Sequence, residues 1–195
     1  VTFQRPYARL PDQPHTDLQA MLWKKAWVNG LDTYEQFYAE DSFPQPYRII
    51  QNEGRGLLIQ GTREWTDYQV FARLTPYLCR AGGLAVRVQG LKRFYALLLD
   101  QEKVRLIRAL DGDTILAEVA GGWTFNTPYD LNLQVMGNKL TGAINGEIVI
   151  EAQDPDHALT GGGIALICAE GHIAADEVAV RPVSGSGMTR RRNHK

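Results

Sequence analysis

Five side chains have types and positions suited to holding a ligand: Arg63 and Trp65 ahead of one apolar alternation, Arg87 and Gln89 within another, and Arg93 at the start of a third. An arginine fork bonds hydroxyls, carboxylates or phosphates. An indole ring stacks on a sugar ring or a base, and a glutamine amide both donates and accepts. In Leu84–Gln89 the apolar Leu84, Val86 and Val88 alternate with Ala85, Arg87 and Gln89. That period of two marks a strand with one face on a core and one on water. On this reading Arg87 and Gln89 look outward, and the following turn adds Lys92 and Arg93. The alternatives are an ordinary solvated sheet face for Arg87 and Gln89, and packing at the rim for Trp65. Tyr95 alternates with Leu97 and Leu99 and reads as core.

Nothing in the sequence forms a comparable catalytic set. Glycoside cleavage needs two acids about 5–9.5 Å apart, and on one strand only every second residue shares a face. Asp111 and Asp113 flank a turn glycine, and Asp154 and Asp156 flank Pro155. Both pairs read as turn chemistry, with loose calcium binding as the weaker alternative. His15, His157, His172 and His194 have no partner at metal or triad spacing, and His172 reads as an exposed turn residue. Cys79 and Cys168 make no zinc pattern, and whether they pair is open. The strings GGLAVRVQG and GGG lack the strand–loop–helix setting of a phosphate loop. No metal or cofactor is expected.

The composition bounds the partners. The 195 residues are 44% hydrophobic and 22% charged, with a formal net charge of −1. This is a globular chain without the basic excess of a nucleic-acid binder. No apolar run is long enough to span a bilayer as a helix, so neither nucleic acid nor membrane is an expected partner. The first residue is Val, which leads to the expectation of a processed product or a piece of a longer protein.

The elements that position these side chains are strands. Residues 1–16, with three prolines, read as a linker, and Asp17 can cap a short helix, Leu18–Lys25. A first strand is expected around Trp27. From Tyr47 to Val183, alternations of five to nine residues recur between Gly, Asn and Asp turns, which argues for an antiparallel all-β sandwich or barrel. Tyr68, Val70, Ala72 and Leu74 share a face, as do Leu131, Leu133 and Val135, with Asn132 and Gln134 opposite. Asn145-Gly146 predicts a type I′ hairpin turn. Turns are also expected at Glu53-Gly54 and Gly82-Gly83. The expected organisation is an N-terminal linker and short helix over 1–25, a sandwich over 26–183 and a basic tail over 184–195.

The order of GLLIQGTREWTDYQVFARLTP, GGLAVRVQGLKRFYALLL, YDLNLQVMGNKLTGAINGEIVI, GGGIALIC and AADEVAVRP resembles the concanavalin A-like (laminin G-like) jelly roll over about residues 47–183. It is similar, more narrowly, to the accessory domain that follows the catalytic domain of some bacterial ADP-ribosylglycohydrolase-family proteins. The acidic metal-binding motifs of that catalytic domain are absent from this sequence. The resemblance therefore implies a two-sheet antiparallel sandwich, a non-catalytic module attached to an upstream catalytic domain, and a glycan or other sugar-containing ligand. Arg63, Trp65, Arg87, Gln89 and Arg93 are its expected contacts. A structural or oligomerisation module and a concanavalin-like glycoside hydrolase are the rival expectations.

Overall fold

The computed structural model describes residues 2–3, 28–36, 47–156 and 158–183. The predicted helix Leu18–Lys25, Trp27 and the tail 184–195 lie outside them. The described residues form strands β1 (Thr2–Phe3), β2 (Val28–Gly30), β3 (Thr33–Gln36), β4 (Tyr47–Gln60), β5 (Tyr68–Gly90), β6 (Arg93–Leu99), β7 (Lys103–Leu110), β8 (Asp113–Ala120), β9 (Tyr129–Met136), β10 (Lys139–Ile144), β11 (Glu147–Gln153) and β12 (Gly163–Pro182). All pairings are antiparallel.

Two sheets face each other, and β5 and β12 belong to both. The start of β5 pairs with β9, and its end pairs with β6. The start of β12 pairs with β4, and beyond a register shift between Ala175 and Val178 its end pairs with β1 and the start of β5. The front sheet is thus β1–β12–β5–β9–β10–β11. The back sheet is β4–β12–β5–β6–β7–β8, with β2 and β3 along the free side of β4. Strands that change sheets at bends are one solution to closing a sandwich at its corners.

The predicted reversal at Gly82-Gly83 is a bend inside one 23-residue strand. A side chain at Gly83 would sit 2.0 Å from the Leu97 carbonyl oxygen. The glycine is there because β6 passes close by, and the chain does not turn back. The Glu53-Gly54 turn is likewise absorbed within β4. The β10–β11 hairpin has the expected turn, with Asn145 at φ 53° and Gly146 at φ 87°.

The core between the sheets collects the predicted faces: Tyr68, Val70, Ala72 and Leu74 from β5, and Leu131, Leu133 and Val135 from β9. Tyr95 and Trp123 are buried with them. A second apolar cluster lies on the other side of the back sheet: Leu57, Ala85, Val88, Phe94, Ala96, Leu98, Ile107, Ala109, Ala165 and Ile167. Buried apolar residues therefore lie on both faces of the back sheet along β4, β5, β6, β7 and β12, whereas β8 is largely exposed. Cys79 and Cys168 are free thiols, each raised by burial to about 12.

Candidate functional site

The alternation that sends Arg87 outward is broken at Arg87 itself. Leu84 and Val86 belong to the core between the sheets, but Val88 belongs to the cluster behind the back sheet. The pairings with β6 and β12 shift register here, and Arg87 has φ 50°. A residue inserted into one strand of a pair bends that strand and re-aims its neighbours. The expectation of a solvated Arg87 is thereby corrected: the residue is 1% exposed. Its guanidinium donates to the Leu159 carbonyl (2.7 Å), the Thr66 carbonyl (3.2 Å) and the Asp67 carboxylate (3.1 Å). Its backbone N–H donates to the Tyr68 hydroxyl at 2.7 Å. That hydroxyl contacts the Gly162 and Gly163 carbonyls, each at 2.8 Å. Burial raises the Tyr68 phenol above its ordinary range, with Arg87 acting against the shift.

Four of the five sequence candidates converge on the segment before β12. Gln89 Nε2 donates to the Gly161 carbonyl at 2.8 Å, and the Gly162 N–H donates to the Trp65 carbonyl at 3.0 Å. Gly161 also lies against the Arg63 backbone. Trp65 is half-buried, edge-on to Tyr68 with ring centroids 5.9 Å apart. The Arg63 side chain is exposed. Arg93 stands apart on the β5–β6 hairpin, 4.0 Å from Asp111.

The turn acids act as structural anchors. Asp113 takes a two-pronged contact from Arg55 at 2.7 and 2.8 Å. Asp154 is fully buried and accepts from the Tyr95 hydroxyl (2.5 Å), Arg108 (2.7 Å) and the N–H groups of Asp156 and Ala158. Arg108 also binds Asp156 at 2.6 Å. Burial works to raise the Asp154 carboxyl, but these donors outweigh it and hold the group below the usual carboxylate range. Burial and the bond to Asp154 push the Tyr95 phenol up to about 12. His172 is not in a turn: it lies in β12, half-buried and stacked on Tyr77 at 4.8 Å. Among the described residues no three His, Cys, Asp or Glu side chains are grouped to hold a metal ion.

The outer face of the front sheet has a different character. A cleft of about 290 Å³ lies across it, lined by Gln69 and Phe71 of β5, Asn132 of β9, and Glu177, Ala179 and Arg181 of β12. The register brings these residues together, because Phe71 pairs with both Asn132 and Ala179, and Gln69 pairs with Arg181. Asn132 Nδ2 donates to Gln69 Oε1 at 3.2 Å. That bond leaves the Gln69 NH₂ and the Asn132 carbonyl oxygen able to reach a ligand. At one border Arg73 grips Asp130 through contacts of 2.6 and 2.9 Å. This pairing holds the Asp130 carboxyl below its ordinary range. Aromatic surface flanked by amides, an acid and a guanidinium is the make-up of a site for a polar ligand with an apolar face.

None of the six lining residues is among the five sequence candidates. Their signal was the reverse side of alternations already assigned to core: Gln69 and Phe71 opposite Tyr68 and Val70, and Asn132 opposite Leu131 and Leu133. What turns those reverse sides into a site is the β9–β5–β12 neighbourhood, and only the pairing reveals it.

No protein-family model matches the sequence, and no curated protein matches it. Among solved structures, the carbohydrate binding module CBM66 from Bacillus subtilis superposes with a TM-score of 0.70 at 17% identity, covering 80% of this chain and 95% of that one. A Bacillus subtilis protein of unknown function with a galectin-like fold gives 0.59 at 16% identity, covering 83% and 91%. The polysaccharide lyase family 7 alginate lyase AlgAT5 gives 0.54 at 12% identity, covering 82% and 95%. At these identities the likeness concerns the fold, and it agrees with the topology: the chain is an antiparallel two-sheet jelly-roll β-sandwich.

Proposed function

We propose that the chain is a carbohydrate-binding module whose site is the cleft on the front sheet. The observation that carries this is Phe71, set on a sheet face beside the mutually bonded side-chain amides of Gln69 and Asn132. The apolar face of a sugar ring packs on the phenyl ring. Its hydroxyls bond to the amides, Glu177 and Arg181, and bonds to charged groups are the stronger ones. Similarity in fold to a carbohydrate binding module supports the reading. A glycan array followed by titration calorimetry tests it. The expected result is binding that Phe71→Ala weakens at least tenfold without lowering the melting temperature by more than a few degrees. Binding unaffected by Phe71→Ala sinks the assignment to this cleft.

A second contact set competes with it. Trp65 remains half-exposed beside the exposed Arg63, with Gln89 and the buried Arg87 behind them and Arg93 on the neighbouring hairpin. Binding lost in Trp65→Ala and retained in Phe71→Ala moves the site to that end of the sandwich. The motif order that resembles the accessory domain of ADP-ribosylglycohydrolase-family proteins supports attachment to such an enzyme. An open reading frame upstream of the Val1 codon that encodes no such domain counts against this.

A further inference from the structure

The sheet face that carries the cleft continues beyond the residues that line it. Directly paired residues of antiparallel strands carry their side chains side by side on one face. Arg181 pairs with Gln69, Gln69 with Gln134, Gln134 with Thr141, and Thr141 with Glu151. This is one polar row across five strands. The next row on the same face runs Ala179, Phe71, Asn132, Ala143, Ile148. It is low, because an alanine stands on either side of Phe71 and Asn132. Beyond it the locked Arg73–Asp130 pair forms the opposite border. The result is a trough at right angles to the strands. At the ordinary strand spacing it runs about 19 Å from β12 to β11, which exceeds the width of one sugar ring. Its β11 end is apolar, with Ile148 66% exposed.

Resting on the carbohydrate reading above, we infer that the ligand is an internal segment of an unbranched polysaccharide lying across the strands. Phe71 supports one ring, and Ala143 and Ile148 support a later one. Arg181, Gln69 and Gln134 of the polar row bond the hydroxyls along one edge, while Thr141 and Glu151 at its far end are bonded to each other and Glu151 to Lys139. A module that grips a chain end needs a closed terminus, and among the described residues the small Ala143 of β10 continues the low row past Asn132.

Titration calorimetry with linear β-1,3-glucan, xylan, mannan, arabinan, levan and alginate, and with mono- to hexasaccharides of the polymer that binds, tests this. Affinity should rise at least tenfold from disaccharide to hexasaccharide. Ala143→Glu, which sets a charged side chain with no stacking surface in the trough far from Phe71, should lower hexasaccharide affinity at least tenfold more than it lowers disaccharide affinity, with the melting temperature changed by no more than a few degrees. A monosaccharide that binds as tightly as the hexasaccharide, or an Ala143→Glu variant that binds the hexasaccharide normally, overturns the lateral path and leaves the carbohydrate reading standing. Binding to none of the six polymers overturns that reading and the inference with it.

Discussion

The end of the sandwich around Arg87 and Asp154 and the outer face of the front sheet are both rich in polar side chains, yet they do opposite work. At the end, hydrogen-bonding capacity is directed inward. Arg87 serves two carbonyls and a carboxylate, and Asp154 accepts from a phenol, a guanidinium and two backbone N–H groups. On the sheet face, Gln69 and Asn132 share one bond and keep capacity for a ligand. The number of polar groups does not distinguish the proposed binding face from a structural knot. What distinguishes them is whether the protein has already satisfied those groups.

Substitutions can break that contrast. The largest effect is expected at Asp154, because removing one member of a buried ion pair costs about 3–5 kcal/mol. Asp154→Ala leaves the Tyr95 hydroxyl without its acceptor and Arg108 with Asp156 alone, and a denaturant titration should show the loss with glycan binding retained in the folded fraction. Arg87→Met comes next, at roughly 2–4 kcal/mol, since each buried acceptor left without a donor costs about 1–3 kcal/mol. If Arg87→Met instead leaves stability intact and abolishes binding, the contrast is reversed.

The acid limb sharpens it. The folded Asp154 carboxyl is held below its ordinary value, so its contribution is present above the unfolded value of about 3.9. It fades as pH falls through the folded value. Stability curves of the natural chain and Asp154→Asn should therefore converge below about pH 4, and parallel curves would show that Asp154 is not the titrating link. The smallest effect is expected at Gln69→Ala. Its stability should stay within about ±0.5 kcal/mol, as at most surface positions, with weaker glycan binding.

Much of the scaffold was legible from the chain. The faces of Tyr68–Leu74 and Leu131–Val135 and the Asn145-Gly146 turn follow from local alternation and backbone preference, and those rules act over a few residues. Arg87 was misread because a one-residue irregularity reverses every side chain beyond it, and sequence spacing carries no mark of it. Gly82-Gly83 was misread because close approach and chain reversal call for the same residue. Phe71 escaped notice because its neighbours Asn132 and Ala179 are some sixty and a hundred positions away in the sequence.

The passage of β5 and β12 through both sheets bears on how the molecule comes apart. Neither layer can lose its central strands without dismantling the other, so the described sandwich should melt in one transition with no half-unfolded species. The same arrangement joins segments far apart in sequence, such as Tyr68 with Pro182. Folding dominated by such distant pairings is slow, on the millisecond-to-second scale. The architecture that brings the cleft residues of β5, β9 and β12 together also makes the chain a slow, all-or-none folder.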